Sequence, residues 1–228
     1  MLKIATDISA IQKARKRCIK KFLYYFKAGY RDEKFITWER NYKFNAHTEF
    51  QEVLNQKAYE DALAKYRYEA IVQQVIKIES RTNLLFSFEK MALRDAVRSY
   101  NGAKDFAKGL YDYVYGKDSL KNRFEQFVEV IAFLPRRLTR VLTWPLVTVF
   151  GFIANPEEHM FLKPRVTQAA AEKYQFEFNY YSKPVWITYR QLLDFAEQVR
   201  EDSKNYFPRD YIDLQSFIWI LGSGEYPD

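Results

Sequence analysis

Apolar residues recur at three- and four-residue spacing along most of this chain, and this period constrains its fold more than any other feature. Glycine and proline, which interrupt helices, number only seven each in 228 residues. No stretch has the composition of a linker or a low-complexity tail. With 48% hydrophobic residues, a chain of this length can also bury a large core. The sequence therefore predicts a mainly α-helical fold, a multi-helix single domain over residues 1–228.

The individual helices can be placed from this period and from their flanking residues. We predict helices over residues 7–28, 32–54, 58–65, 68–78, 84–98, 103–115, 119–133, 186–203 and 209–221. Residues 141–154 form the longest apolar run, but a membrane-spanning helix needs about 20 residues. This run is therefore expected to lie in the core.

One region has the two-residue period of a strand instead. Phe176, Phe178 and Tyr180 alternate with Glu177 and Asn179, and a short apolar segment lies at 160–163. Together these segments predict a small β hairpin or ribbon near residues 160–181.

The positive charge of the chain is concentrated at its start. Residues 1–31 carry nine Lys or Arg and one Asp, a net charge of +8, against +7 for the whole chain. Asp7 is expected to cap the first helix, which would end near Ala28, before Gly29. In this helix the basic residues gather opposite the apolar ones, with Arg15 alone on the apolar side. The basic face consists of Lys13, Lys16, Arg17, Lys20, Lys21 and Lys27.

Such a face is suited to nucleic-acid phosphates, because each neutralised phosphate releases counterions. A solvated surface helix and a helix lying on a membrane are the alternatives, although the core needs the apolar face. Arg136, Arg137 and Arg140 form a second basic cluster that could extend the nucleic-acid-binding surface. An ion-pair network with Glu125 and Glu129 would equally explain this cluster.

Four residues in irregular or polar segments are candidates for catalysis. His159 could act as a general base near Lys163, in the segment that follows Asn155. Glu79 and Arg81 lie in a polar island between two apolar runs. The structural alternatives are a turn at Asn155 and Pro156 and, in the island, a helix cap at Thr82 or Asn83. The sequence leaves open whether the chain is an enzyme.

The sequence gives little support for other kinds of catalytic or metal site. Phosphate-loop, dinucleotide-binding, serine-hydrolase and zinc-protease motifs are missing. One cysteine, Cys18, and two histidines argue against a zinc site, so we expect neither a metal nor a cofactor. The chain has no signal-peptide pattern and no transmembrane segment, so a soluble, cytoplasmic protein is expected.

Three segments resemble a family of uncharacterised bacterial proteins, and the similarity extends from about residue 38 to residue 226. These segments are residues 78–96, 134–145 and 213–219. The resemblance implies a bacterial source and no particular activity. Residues 156–164 and 210–219 also resemble parts of restriction- or defence-associated bacterial proteins, which favours a nucleic-acid partner.

Three functions thus remain open. The first is a non-catalytic nucleic-acid-associated protein whose basic helix contacts phosphates. The second is a hydrolase, nuclease-like or defence-associated, with its site at the four catalytic candidates. The third is an interaction protein that docks on an acidic partner. The pattern does not decide between DNA and RNA, nor does it give the oligomeric state.

Overall fold

The computed structural model describes residues 2–135 and 141–228, and side chains from residue 8 onward within these ranges. Its α-helices are α1 (Leu2–Tyr25), α2 (Glu33–Phe35), α3 (Asn41–Val53), α4 (Gln56–Ala64), α5 (Tyr68–Ser80), α6 (Ser87–Ala96), α7 (Tyr100–Tyr115), α8 (Leu120–Phe133), α9 (Trp144–Ala154), α10 (Pro164–Tyr174), α11 (Trp186–Asp202) and α12 (Tyr211–Gly222). A π-helical segment, Ile36–Arg40, joins α2 to α3 without a break. The predicted mainly helical fold is confirmed.

Two apolar helices organise the packing. Every residue of α9 is buried, and α3, α5, α7 and α8 surround it. The second central helix, α12, packs against α1, α10, α11 and the π-helical segment. The buried apolar side chains of both groups form one continuous core. The expectation that residues 141–154 lie in the core is therefore confirmed for the helix they contain.

The closest of these contacts is between α10 and α12, and it requires glycine. A Cβ atom placed on Gly222 would lie 2.0 Å from the carbonyl oxygen of Val166. Because that oxygen belongs to the backbone, no side-chain rotation could relieve the clash. The end of α12 can approach α10 this closely only without a side chain at position 222.

A buried ionic contact ties the start of α12 to the π-helical segment. Both terminal nitrogens of the Arg40 guanidinium donate to Asp210, Nη2 at 2.6 Å and Nη1 at 2.7 Å, and Nη1 also donates to Asp213 at 2.8 Å. Arg40 is 6% exposed, Asp210 5% and Asp213 0%. Asp210 is also the N-cap of α12, since it accepts hydrogen bonds from Ile212 and Asp213. Arg209 completes the group by binding Asp213 at 2.8 Å.

A second buried polar contact lies one turn further along α12, between that helix and the start of α3. The Lys43 ammonium donates to the Ser216 hydroxyl at 2.7 Å and lies 3.6 Å from Glu39. Burial lowers the pKa of Lys43 to about 8, and the nearby Glu39 carboxylate opposes this shift. Tyr226 donates its hydroxyl to the same Glu39. Polar side chains thus connect α12 to both the π-helical segment and α3.

Replacing Arg40 by Met should destabilise the protein by about 3–5 kcal/mol, because Asp210 and Asp213 would lose their buried partner. Denaturant unfolding at pH 7 measures this loss. Adding Asp210→Asn to Arg40→Met should recover part of it, since Asp213 keeps Arg209 as a partner and the uncompensated charge of Asp210 is removed. A loss below about 1 kcal/mol for Arg40→Met would show that the contact does not hold α12 in place.

The predicted β hairpin near residues 160–181 is wrong, because no residue that the structure describes lies in a strand. Pro164 instead begins α10, a helix that the sequence analysis missed, and α10 separates the two expected strands. The alternation at Phe176, Phe178 and Tyr180 is real, since these side chains are half-buried between exposed neighbours.

Side chains of α11, together with Trp144 of α9, take the place of a partner strand for residues 179–181. The backbone N–H of Asn179 donates to the side-chain oxygen of Gln191 at 2.8 Å, and the backbone carbonyl of Asn179 accepts from the Thr188 hydroxyl at 3.0 Å. The Tyr181 carbonyl accepts from the indole of Trp144 at 2.7 Å. An extended chain satisfied in this way shows the period of a strand without belonging to a sheet.

Two smaller predictions also need correction. The first helix begins at Leu2, so Asp7 lies inside it and is not its cap. Neither Thr82 nor Asn83 caps α6; the carboxylate of Glu89 accepts from the Phe86 amide at 2.9 Å at the start of that helix. Across the described ranges, no helix is both long enough and apolar enough to cross a membrane.

Candidate functional site

The basic face of α1 points outward because the core takes up its apolar face. Cys18, Phe22 and Phe26 are buried against the rest of the domain, where α1 packs on α10 and α12. On the opposite side the cations are exposed, and none forms an ion pair with a described residue. These exposed cations are Lys13, Lys16, Arg17 and Lys20 on α1, and Lys27 two residues past its end at Tyr25. We call this set the α1 basic face.

Two basic residues of α1 are held by acids and do not belong to that set. Lys21 was predicted on the basic face, but its ammonium is mostly buried and lies 2.6 Å from the Asp228 carboxylate. Arg15 was placed on the apolar side, and it packs over the ring of Tyr174 and lies 3.5 Å from Asp202.

A groove with a volume of about 780 Å³ runs beside the α1 basic face. Its lining includes Arg17, Lys20, Lys21 and Lys173, together with the ring of Tyr24. Tyr24 is 77% exposed. Sequence reasoning missed Lys173 and Tyr24, although Tyr24 stands among the lysines of the first helix in the sequence. Arg136, Arg137 and Arg140 lie outside the described residues, so their part in this surface stays a prediction.

The structure brings together only two of the four catalytic candidates. Glu79 is buried and lies 3.3 Å from the ammonium of Lys90. The ammonium of Lys163 donates to the Leu84 carbonyl at 2.7 Å, at the same corner of the fold. Burial raises the pKa of Glu79 and lowers that of Lys163, while the Glu89 and Glu79 carboxylates oppose the shift at Lys163.

The other two candidates lie elsewhere. The side chain of Arg81 is 58% exposed and pairs with Glu49 on the surface. His159 is fully buried next to Gly151 of α9, and its ring packs on Tyr113 with centroids 4.4 Å apart. The four residues therefore do not surround one substrate position.

His159 is held as a neutral imidazole. Neither ring nitrogen has a hydrogen-bond partner in the described structure. Nε2 lies 3.4 Å from the Glu158 carboxylate, but that carboxylate is bound by Arg123. Burial, with a smaller contribution from the Arg123 charge, lowers the pKa of His159 to about 3. A base that is shielded from solvent in this way serves packing better than proton transfer.

His159 should make the protein less stable in mild acid. The unfolded chain binds a proton at this residue below about pH 6.5, whereas the folded protein does so only near pH 3. The free energy of unfolding should therefore fall as the pH drops from 6.5 towards 3, with about 2 kcal/mol of loss from this group at pH 5. Denaturant unfolding at pH 7 and pH 5 measures the fall.

His159→Leu is the matched variant for this measurement, because it keeps a buried side chain and removes the titrating group. Its loss of stability between pH 7 and pH 5 should be smaller than that of the original protein by the same amount. Equal losses in the two proteins would contradict the assignment.

Metal ligands do not converge in the described ranges, where no group of three His, Cys, Asp or Glu residues could hold an ion. The ring of His47 contacts the carbonyl of Ile153 at 2.9 Å. The thiol of Cys18 donates to the carbonyl of Lys173, 3.4 Å away. Both side chains thus have structural partners.

No protein-family model, curated protein or solved structure matches the chain. The resemblances to uncharacterised and to defence-associated bacterial proteins therefore stay predictions. The function has to be argued from the geometry of the chain's own side chains.

Proposed function

We propose that this protein binds the phosphate backbone of a nucleic acid through the α1 basic face, as a binding protein without catalytic activity. The observation that carries the proposal is a set of five exposed cations, four on α1 and one just past its end, none of them paired with a described acid. Phosphate binding requires such unpaired cations, since each contact releases counterions from the nucleic acid.

One other surface helix, α11, supports this interpretation by contrast. On α11 the exposed Arg190 lies 3.7 Å from Asp194, and the half-buried Arg200 lies 3.0 Å from Glu197. A helix that serves only solubility mixes the two signs in this way. The outer face of α1 carries one sign, and its charge is available to an external anion.

The burial of the opposite face favours nucleic acid over a membrane. A helix that lies on a lipid surface inserts its apolar face among the acyl chains. In α1 that face is occupied, because Cys18 and Phe22 are each at most 4% exposed within the core. Contacts between the basic face and phosphates fix position without reading bases, so the proposal includes no sequence specificity.

The double substitution Lys16→Glu and Lys20→Glu should abolish most of the binding. Fluorescence anisotropy with labelled duplex and single-stranded DNA and RNA oligonucleotides measures it. Five phosphate contacts predict a loss of affinity of roughly 10²–10³-fold for a duplex between about 50 and 200 mM salt. The charge-reversed variant should lose both the affinity and most of this salt dependence.

Lys57→Glu with Lys65→Glu is the matched control. Both lysines are exposed at the α4 end of the molecule, and they change the net charge by the same amount. This control should retain most of the binding. Equal losses in both double variants would contradict a localised site. If the original protein binds no nucleic acid but binds an acidic protein through α1, the docking hypothesis replaces the proposal.

A further inference from the structure

Two cavities meet at Lys163, on the side of α12 away from the groove of α1. The larger has a volume of about 670 Å³ and the smaller about 200 Å³. Phe86, Lys163 and Trp219 line both of them. The larger volume lies within the roughly 300–1,000 Å³ of small-molecule sites. The two cavities are therefore adjacent, and we call them together the joined cavities.

The larger cavity is apolar and aromatic. Phe86, Phe88, Trp144 and Trp219 contribute to its wall. Phe86 and Phe88 stack with centroids 5.6 Å apart, and each is more than half exposed. Flat aromatic walls favour a flat apolar ligand, because stacked rings gain both buried area and favourable quadrupole contacts.

The smaller cavity contains polar groups that are free to bind a ligand. Gln215 is 4% exposed, and its Oε1 atom has no hydrogen-bond partner within the described structure. Lys163 is 8% exposed; its ammonium donates to the Leu84 carbonyl and lies 3.6 Å from the centroid of the Phe86 ring, and it has three protons in all. A buried acceptor and a buried donor thus line the smaller of the joined cavities.

The charges around the joined cavities favour an uncharged ligand. Among the described lining residues, Lys163 and Arg165 are balanced by Glu89 and Glu225. Both carboxylates already accept hydrogen bonds, Glu89 from the Phe86 amide and Glu225 from the Trp219 indole. The two carboxylates would repel a phosphate or carboxylate placed here, whereas they would not repel an uncharged polar group.

We propose that the joined cavities connect around Lys163 and bind a planar, uncharged heterocycle that carries a carbonyl next to an N–H, as guanine and uracil do. The ring lies against the aromatic wall, Lys163 donates to the carbonyl, and Gln215 pairs with the N–H. Such an edge suits either orientation of the Gln215 amide, since it offers both a donor and an acceptor. The site is separate from the α1 basic face and does not depend on phosphate binding.

Isothermal titration with guanosine and uridine tests the proposal on the unaltered protein. Both nucleosides lack phosphate, so the α1 basic face does not contribute. The controls are 1-methylguanosine and 3-methyluridine, in which a methyl group replaces the N–H. Each should bind at least about tenfold more weakly than its parent, because Gln215 would be left unpaired. Equal binding of parent and methylated forms, or no binding of any nucleoside, would overturn the proposal.

Variants then locate the site. Gln215→Met and Lys163→Met should each weaken nucleoside binding about tenfold or more. Gln73→Met, on the exposed face of α5, is the matched control and should bind like the original protein. If benzoate binds more tightly than either nucleoside and loses its affinity in Lys163→Met, the site takes an anion and the proposal is wrong.

Discussion

The contact of Arg40 with Asp210 and Asp213 joins the N-terminal part of the chain to its C-terminal helix. These residues are separated by about 170 positions, and their charges are buried with good bidentate geometry. The interaction fixes the start of α12 against the π-helical segment. Because α1 and α10 pack on α12, the orientation of the α1 basic face depends on this contact too.

Both candidate binding surfaces are built on α12. Leu221 lines the groove next to α1, while Gln215 and Trp219 line the joined cavities. A single apolar helix thus supports a cationic surface on one side and an aromatic site on another. The residues that set the two surfaces lie in α1 and around Lys163, and they share no side chain.

The helical period and the glycine and proline positions were enough to place most helices, because they depend on local sequence. The strand period at residues 176–181 led to the wrong prediction of a β hairpin. The partner of that segment is the polar face of α11, which no local pattern reveals. In the sequence, Asp210 and Asp213 can be recognised only as acids near the start of a predicted helix. It could not show that Arg40, far away in the chain, binds them.

The candidate site was predictable only in part, for the same reason. The outward lysines of α1 follow from one helix, so the sequence identified them. Lys163 was found as an isolated polar residue, but its neighbours Gln215 and Trp219 come from a helix about 50 residues later. His159 has the residue type of a catalytic base, and only the packing of Tyr113 against it reveals a buried, neutral ring.

Lysine footprinting tests the central claim most directly, because it reports on each side chain of the unaltered protein. The protein would be acetylated briefly with and without an oligonucleotide, and the modified lysines quantified by mass spectrometry. The account predicts protection of Lys13, Lys16, Lys20 and Lys27, with Lys57 and Lys65 unchanged. Uniform protection of all these lysines, or protection confined to Lys57 and Lys65, would contradict a nucleic-acid surface on α1.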